Sequence, residues 1–198
     1  MSNLEKYIKN PSLLWDDFRG GNEKAFSALF NIYSDPLFRY GMKFISDEGL
    51  VKDCIQELFI KLYRNHSNLS PTDNPLLYLF KSLKNRLADV LGSRNERIMY
   101  MPNEDLPFLV DYRFDPVDDQ DIDEELIATF NKAMSFLTPR QKEAIYLHYQ
   151  SELTYEEIAQ LLNINYQSVR NLIHRAVEKI RTEMDLTVFL FLVIKFVY

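Results

Sequence analysis

The sequence has 198 residues, of which 46% are hydrophobic, so it is long enough and apolar enough for one medium domain or two small ones. Five glycines and eight prolines favour helices joined by short turns over a sheet with Gly-rich hairpins. The one cysteine, Cys54, excludes an internal disulfide and favours a reducing compartment. Residues 1–11 are polar and lack the basic start and apolar core of a signal peptide. We therefore predict an all-α, cytoplasmic protein.

The net charge of -6 argues at first against binding to nucleic acid, because phosphate contacts need Lys and Arg. Ten of the acidic residues, however, lie within residues 103–125, where Arg113 is the only base. The remaining sequence carries 22 bases and 19 acids, a net charge of +3. The acidity therefore belongs to one segment. Its prolines and its lack of a sustained hydrophobic period indicate an acidic linker over residues 98–123.

Residues 13–97 form the first predicted helical domain, and its helices are placed by their capping residues. Asn22 can cap a helix whose apolar residues recur every three or four positions. Asp35-Pro36 predicts a break, with Asp35 as the cap and Pro36 in the first turn of a new helix. Further helices are predicted at about 47–64 and from Asn74-Pro75 onward.

The second predicted domain, residues 124–184, contains two capping boxes, in which a Thr caps a helix and a Gln or Glu three residues later reaches back. They begin at Thr138 and Thr154. The short turn Asn163-Ile164-Asn165 then leads into a helix that starts near Tyr166. Because Asn tolerates the left-handed conformation that such a turn requires, Asn163 is predicted to adopt it. The pattern predicts a helix-turn-helix.

In a helix-turn-helix, the first residues of the second helix contact base edges in the major groove, and other basic residues contact phosphates. The polar residues predicted to bind DNA are Tyr166, Gln167, Ser168, Arg170, Asn171 and His174 near the start, and Arg175, Lys179, Arg140 and Lys142 for phosphates. The alternative is a generic charged helix. The spacing of the turn and of the apolar residues favours the DNA-binding interpretation.

Residues 137–145, 153–159 and 168–176 together resemble region 4 of the sigma-70 family, in its extracytoplasmic-function (ECF) group. Residues 53–63 and the stretch from Tyr78 to Asp89 resemble region 2 of the same family. In that family, region 4 reads the minus-35 promoter element, and region 2 binds core RNA polymerase and opens the minus-ten element. The resemblance implies two helical domains with core RNA polymerase, double-stranded promoter DNA and melted promoter DNA as partners.

The resemblance also assigns sites in the first domain. It implies polymerase contacts at Asp53, Gln56, Glu57, Phe59 and Lys61, and minus-ten contacts at Tyr78, Lys81, Lys84, Asn85, Asp89, Ser93 and Arg94. From periodicity alone, the second set would be only a solvated helix face. Two departures concern this site, because the family often has tryptophan at the position of Tyr78 and a basic residue at that of Gly92. For the linker, the resemblance implies a path through the polymerase instead of along DNA, and the alternative is a solvated tether.

The tail, residues 185–198, is an extension beyond the family pattern, and eleven of its last thirteen residues are apolar. A bilayer span needs about 20 residues, so packing onto region 4 or another protein is favoured over membrane contact or a frayed segment. No metal, cofactor or small-molecule substrate is expected, because the sequence has no phosphate-binding loop, no metal-ligand spacing and no nucleophile with a base. An anti-sigma partner stays open. The rival interpretations are a helix-turn-helix regulator without sigma activity, a protein-interaction module and an enzyme.

Overall fold

The computed structural model describes residues 3–94, 106–109 and 124–183, and every regular element in these ranges is helical. In chain order, the α-helices are α1 (Asn3–Lys9), α2 (Pro11–Arg19), α3 (Glu23–Gly41), α4 (Glu48–Asn65), α5 (Pro75–Arg94), α6 (Glu124–Ser135), α7 (Pro139–Tyr149), α8 (Tyr155–Leu162) and α9 (Tyr166–Glu183), with a short 3-10 helix, His66–Asn68, after α4. The tail and most of the predicted linker lie outside the described residues. Within the described ranges, we find no helix long and apolar enough to cross a membrane.

The chain divides into two compact units, Met1–Asn103 and Glu104–Tyr198, which we call the N-terminal and C-terminal units. In the N-terminal unit, α3, α4 and α5 pack against one another, and α2 packs across α3. Their contact faces bury Leu29, Leu37, Leu58 and Leu83. Burial of such side chains contributes roughly 1.5–3 kcal/mol each, so this three-helix core stabilises the helices that carry the candidate site.

The predicted cap at Asn22 is confirmed, and α4 begins close to its predicted start. The side chain of Asn22 accepts hydrogen bonds from the backbone of Lys24 and Ala25 at 3.0 and 3.3 Å. Asp47 accepts from the amide of Leu50 in the same way, at 3.1 Å. These side chains satisfy amides that lack an intrahelical partner at a helix start, so each helix begins where its sequence predicts.

The predicted break at Asp35-Pro36 is wrong, because α3 continues through Pro36. Proline at this position removes the amide that would bond the carbonyl of Ile32, which costs an interior helix about 3 kcal/mol. The buried residues on either side, Tyr33 and Leu37, continue one stripe. Packing of that stripe against α4 and α5 offsets the lost hydrogen bond.

Two short helices at the start of the chain were not predicted from the sequence. Helix α1 precedes residue 13, where the first domain was expected to begin, and Tyr7 on it is buried with its hydroxyl donating to Asp17 at 2.8 Å. Helix α2 buries Trp15 completely. Its start is capped by Asn10, whose side chain accepts from the amide of Leu13. The N-terminal unit therefore uses the beginning of the chain as part of its core.

The C-terminal unit contains both predicted capping boxes. Thr138 exchanges side-chain and backbone hydrogen bonds with Gln141, and Thr154 does so with Glu157. Asn163 adopts the left-handed conformation, with φ 53° and ψ 45°, at the end of α8. Helix α9 then packs on α7 and α8, so the predicted helix-turn-helix is present.

A short stretch of the predicted linker is described, and it packs on the C-terminal unit. Leu106 and Phe108 are buried, and the Phe108 ring lies 5.7 Å from that of Tyr146 on α7. The other linker aromatics, Tyr100, Tyr112 and Phe114, are outside the described residues. Residues 106–109 are therefore part of the unit formed by α6 to α9, although their sequence carries no helical period.

Candidate nucleic-acid interface

Helix α9 presents the predicted base-reading face to solvent. Gln167, Arg170, Asn171, His174 and Arg175 are exposed. The opposite face, which carries Val169, Ile173, Ala176 and Ile180, is buried against α7 and α8. The polar residues therefore point away from the core, as a helix that enters a groove requires.

The polar groups at the start of α9 are ordered by short hydrogen bonds. The side-chain amide of Gln167 donates from Nε2 to Oδ1 of Asn171, one turn later, at 3.1 Å. Ser168 donates its backbone amide to the side chain of Asn165, which caps the helix at 2.8 Å. His174 lies 3.6 Å from Glu178, a contact that is ionic only when the imidazole is protonated. Because these side chains are already ordered, they lose less conformational entropy when a partner binds.

A row of aromatic rings runs from the end of α7 to the first residue of α9. The ring of His148 lies 4.8 Å from Tyr155, and Tyr155 lies 5.9 Å from Tyr166. The imidazole of His148 is held in turn by a 3.1 Å contact from Nδ1 to the carbonyl of Leu153. Tyr166, with 45% of its surface exposed, therefore stands on a packed aromatic base.

Two of the predicted phosphate-binding cations also make contacts inside the unit. Arg140 donates from Nη2 to the carbonyl of Leu162 at 3.0 Å, which satisfies an acceptor at the end of α8. Lys179 donates to the carbonyl of Phe136 and to Gln141, at 3.4 and 3.5 Å. Burial lowers the pKa of the Lys142 amine. Arg140 and Lys179 therefore stabilise the helix-turn-helix, whatever else they bind.

The exposed face of α5 carries four of the predicted minus-ten residues. Tyr78, Lys81, Asn85 and Asp89 are exposed and follow one another every three or four positions, so they form a single stripe. The ring of Tyr78 lies 5.1 Å from that of the buried Trp15 on α2. The side chains of Ser93 and Arg94 are outside the described residues. The stripe therefore joins an aromatic surface to charged and amide groups.

Lys84 does not belong to this stripe, contrary to the sequence prediction. Only 4% of its surface is exposed, and its ammonium lies 5.9 Å from the centre of the Phe44 ring. On the helix, Lys84 directly follows the buried Leu83, so its alkyl chain covers the core at the margin of the apolar face. Lys84 is thus a packing residue in this structure.

A groove lies beside the α5 stripe, between α4 and α5. Its volume is about 260 Å³, and its lining includes Leu69, Tyr78 and Ser82. An ion pair crosses its wall, since Arg86 approaches Glu57 to 2.7 Å between Nη2 and Oε2. Arg86 was not among the predicted site residues, although it is a base next to Asn85 on the predicted helix. A groove with an aromatic rim and a paired charge can hold a small planar polar group.

The predicted polymerase-binding helix, α4, exposes four of its five predicted contact residues: Asp53, Gln56, Glu57 and Lys61. The fifth, Phe59, is buried, and its ring packs 4.9 Å from that of Phe30 on α3. The apolar side chain exposed next to the charged set is instead Ile60, at 42%. Sequence periodicity could not separate these neighbours because both are apolar. The exposed surface of α4 is therefore charged around one aliphatic residue.

Together these features define a two-unit helical protein with a DNA-binding helix-turn-helix in one unit and a mixed aromatic and polar face in the other. The family model for Sigma-70 region 2 matches residues 29–97, and the model for Sigma-70, region 4 matches residues 129–180. The chain belongs to the sigma-70 family of RNA polymerase sigma factors, in its ECF group.

Individual relatives agree with this family. The chain is 22% identical to the ECF RNA polymerase sigma factor SigM of Bacillus subtilis (strain 168), over 77% of this chain and 91% of the relative. It is 25% identical to SigW of the same organism, over 83% and 91%. The sigma factor RpoE of Bartonella quintana, solved with the anti-sigma factor NepR, has a similar fold, with a TM-score of 0.60 and 20% identity over 81% of this chain and 96% of RpoE.

Proposed function

We propose that this protein binds core RNA polymerase and directs it to promoters, where it recognises the minus-35 and minus-ten elements, opens the duplex and allows transcription to start. The observation that carries this function is that one chain contains both an α5 face suited to single-stranded DNA and an exposed recognition helix. The two features follow one another in the order typical of the family. A regulator without sigma activity would need only the second. In vitro transcription with core polymerase tests the proposal, since a mere DNA-binding regulator would give no promoter-specific transcript.

We assign residues 13–97 to polymerase binding and minus-ten recognition, and residues 124–184 to minus-35 recognition. Residues 98–123 are the connector, and residues 185–198 are an apolar extension that we expect to contact protein. The protein acts in the cytoplasm, where polymerase is, and performs no catalysis itself. RpoE of B. quintana binds an anti-sigma factor. A similar inhibitor for this chain would be found by co-purification from cells.

For the minus-35 element, we propose that α9 enters the major groove with Tyr166, Gln167 and Arg170 at base edges. Arg pairs bidentately with guanine and Gln with adenine, so these side chains suit sequence reading. Arg175, farther along the helix, contacts the phosphate backbone. The hydrogen bonds of Arg140 and Lys179 inside the unit make them supports of the helix first and phosphate contacts second.

For the minus-ten element, we propose that the α5 stripe binds the melted strand and that an unstacked base enters the groove beside Tyr78. Bases removed from a duplex are held by stacking on aromatic rings and by hydrogen bonds to their edges. The rim of the groove offers the Tyr78 ring, while Ser82 and the Arg86–Glu57 pair offer hydrogen-bonding groups. The groove thus provides both kinds of contact.

Alanine at Asn85 or Asp89 is expected to reduce promoter opening about fivefold each, the factor for one hydrogen bond of roughly 1 kcal/mol. Binding to core polymerase should stay normal, because both side chains lie on the exposed face of α5. Permanganate reactivity of minus-ten thymines measures opening. Asn31→Ala and Asp35→Ala, which remove the same exposed side chains from α3, are the matched controls. Unchanged reactivity in both α5 variants would remove these residues from the site.

Replacing Glu57 by Arg is expected to weaken holoenzyme assembly about tenfold, which corresponds to roughly 1.4 kcal/mol. The change also breaks the ion pair with Arg86, so the effect of losing this pair must be separated from the loss of a polymerase contact. In the double variant Glu57→Arg with Arg86→Glu, the pair is restored with reversed polarity. If Glu57 contacts the polymerase, the double variant stays defective in a core-binding titration.

The matched control is Glu48→Arg, which breaks another exposed ion pair of α4, with Lys52 at 3.1 Å. That acid lies at the start of the helix, away from the proposed contact. Recovery of normal assembly in the double variant would show that only the internal pair matters, and the polymerase contact would have to be moved to other residues.

A further inference from the structure

The loop between α4 and α5, residues 66–74, is held in place by side chains of α2. The indole of Trp15 donates from Nε1 to the carbonyl of Ser70 at 2.9 Å. Arg19 donates from Nε to the neighbouring carbonyl of Leu69 at 2.6 Å. Two consecutive loop carbonyls are therefore bound by one helix, which fixes both the position and the orientation of the loop backbone.

Further contacts order the same junction. Nδ1 of His66 lies 3.0 Å from the carbonyl of Arg19 and must donate, because a carbonyl can only accept. The guanidinium of Arg19 is oriented by Asp16, one turn earlier, at 2.9 Å. The Arg19 side chain and the loop that it contacts are therefore both fixed before any partner binds.

Trp15 links this loop to the aromatic residue of the α5 stripe. Its indole is fully buried, with one edge bonded to Ser70 and its ring 5.1 Å from that of Tyr78, inclined by 57°. Leu69, whose carbonyl Arg19 holds, and Tyr78 both line the groove between α4 and α5. A shift of α2 would therefore move two walls of the groove together.

We propose that Trp15 and Arg19 are positioning residues for minus-ten recognition: they hold loop 66–74 and the Tyr78 ring in the geometry that accepts the melted strand. Helix α2 thereby takes part in promoter opening, although it lies before residue 29, where the match to region 2 begins. The inference rests on the proposed role of Tyr78 in that step. Leu69 of the loop and Tyr78 of α5 line the same groove and must keep their relative position, because a misplacement of about 1 Å can cost a large factor in activity.

The test compares Trp15→Phe with Leu14→Val in the full-length protein assembled with core polymerase. Phenylalanine keeps an aromatic ring but removes the donor to Ser70, whereas Leu14→Val perturbs an equally buried site of α2 without touching a polar contact. We expect Trp15→Phe to lower affinity for a single-stranded minus-ten oligonucleotide about fivefold, the effect of one lost hydrogen bond. It should also change the order of preference among oligonucleotides that differ by one base, and Leu14→Val should do neither.

Arg19→Lys gives a second readout that leaves the core intact. An ammonium on a flexible chain cannot reproduce the planar fork that joins Asp16 to the Leu69 carbonyl, so the same loss of preference is expected. Melting temperatures of all variants report general destabilisation. Equal effects of Trp15→Phe and Leu14→Val, or unaltered base preference in both Trp15→Phe and Arg19→Lys, would overturn the positioning role.

Tyr78→Ala in the same assay separates this inference from the proposed function. If Tyr78→Ala loses oligonucleotide binding while Trp15→Phe and Arg19→Lys bind normally, only the positioning role is overturned. If Tyr78→Ala binds normally, the minus-ten assignment fails, and the inference fails with it.

Discussion

Replacing Arg170 by alanine is expected to weaken binding of the holoenzyme to its preferred minus-35 sequence by about 1–3 kcal/mol, the value of one bidentate base contact. Arg170 is exposed near the start of α9, one turn after Tyr166 and outside the buried stripe that carries Val169 and Ile173. The loss should be confined to sequences that carry the preferred base at one position. Affinity measured on a panel of single-base minus-35 variants would show this as a flattened profile at that position.

Arg175→Ala is the matched control, since it removes the same exposed side chain five residues farther along α9. A phosphate contact carries no sequence information, so this variant should weaken binding equally on every sequence. The slope of log affinity against log salt concentration should fall by about one. Identical, sequence-independent losses in both variants would show that Arg170 does not read a base.

Replacing Gly41 by valine is expected to destabilise the N-terminal unit by about 3 kcal/mol. Gly41 is the last residue of α3 and lies where three helices meet. A Cβ at this position would be 2.6 Å from Cγ1 of Val51 on α4 and 3.7 Å from Cδ2 of Leu83 on α5. Overpacking a core costs about 1–3 kcal/mol, and valine adds two carbons beyond the Cβ that already overlaps. Chemical denaturation of the full-length protein measures the loss.

The Val51 contact can be tested as the cause by repeating the substitution in a Val51→Ala background. Removing the Cγ atoms of Val51 should recover part of the loss, seen as a coupling energy in the double-mutant cycle. Gly49→Val is the control, because a Cβ there would meet only the side chain of Asp47, at 3.3 Å. If Gly41→Val cost no more than Gly49→Val, close packing at the three-helix junction would not be the reason for glycine at position 41.

The features that could be predicted from the sequence depend on residues close to one another in the chain. The capping boxes at Thr138 and Thr154 were predictable because their hydrogen bonds join residues three positions apart. The left-handed Asn163 was predictable because a short turn between two helices requires that conformation and Asn tolerates it. The exposed face of α9 followed from its apolar period, so the candidate minus-35 residues were placed on the correct side.

Features set by tertiary packing could not be predicted in this way. Phe59 and Ile60 are adjacent apolar residues, and only the position of α3 decides that Phe59 is buried and Ile60 exposed. The tertiary structure likewise buries Lys84, whose charge predicted an exposed residue, because Phe44 lies beside it.

By itself, therefore, the sequence determined the helical class, the helix-turn-helix and the residues that α9 exposes to solvent, because short-range hydrogen bonds and helical periodicity specify them. Only the tertiary structure decided that α3 runs through Pro36 and that Trp15 joins loop 66–74 to Tyr78. Trp15 and Ser70 are 55 residues apart, and no local pattern relates them. Such contacts form only when the helices pack and the burial of several side chains outweighs a local preference, and the walls of the proposed minus-ten groove depend on them.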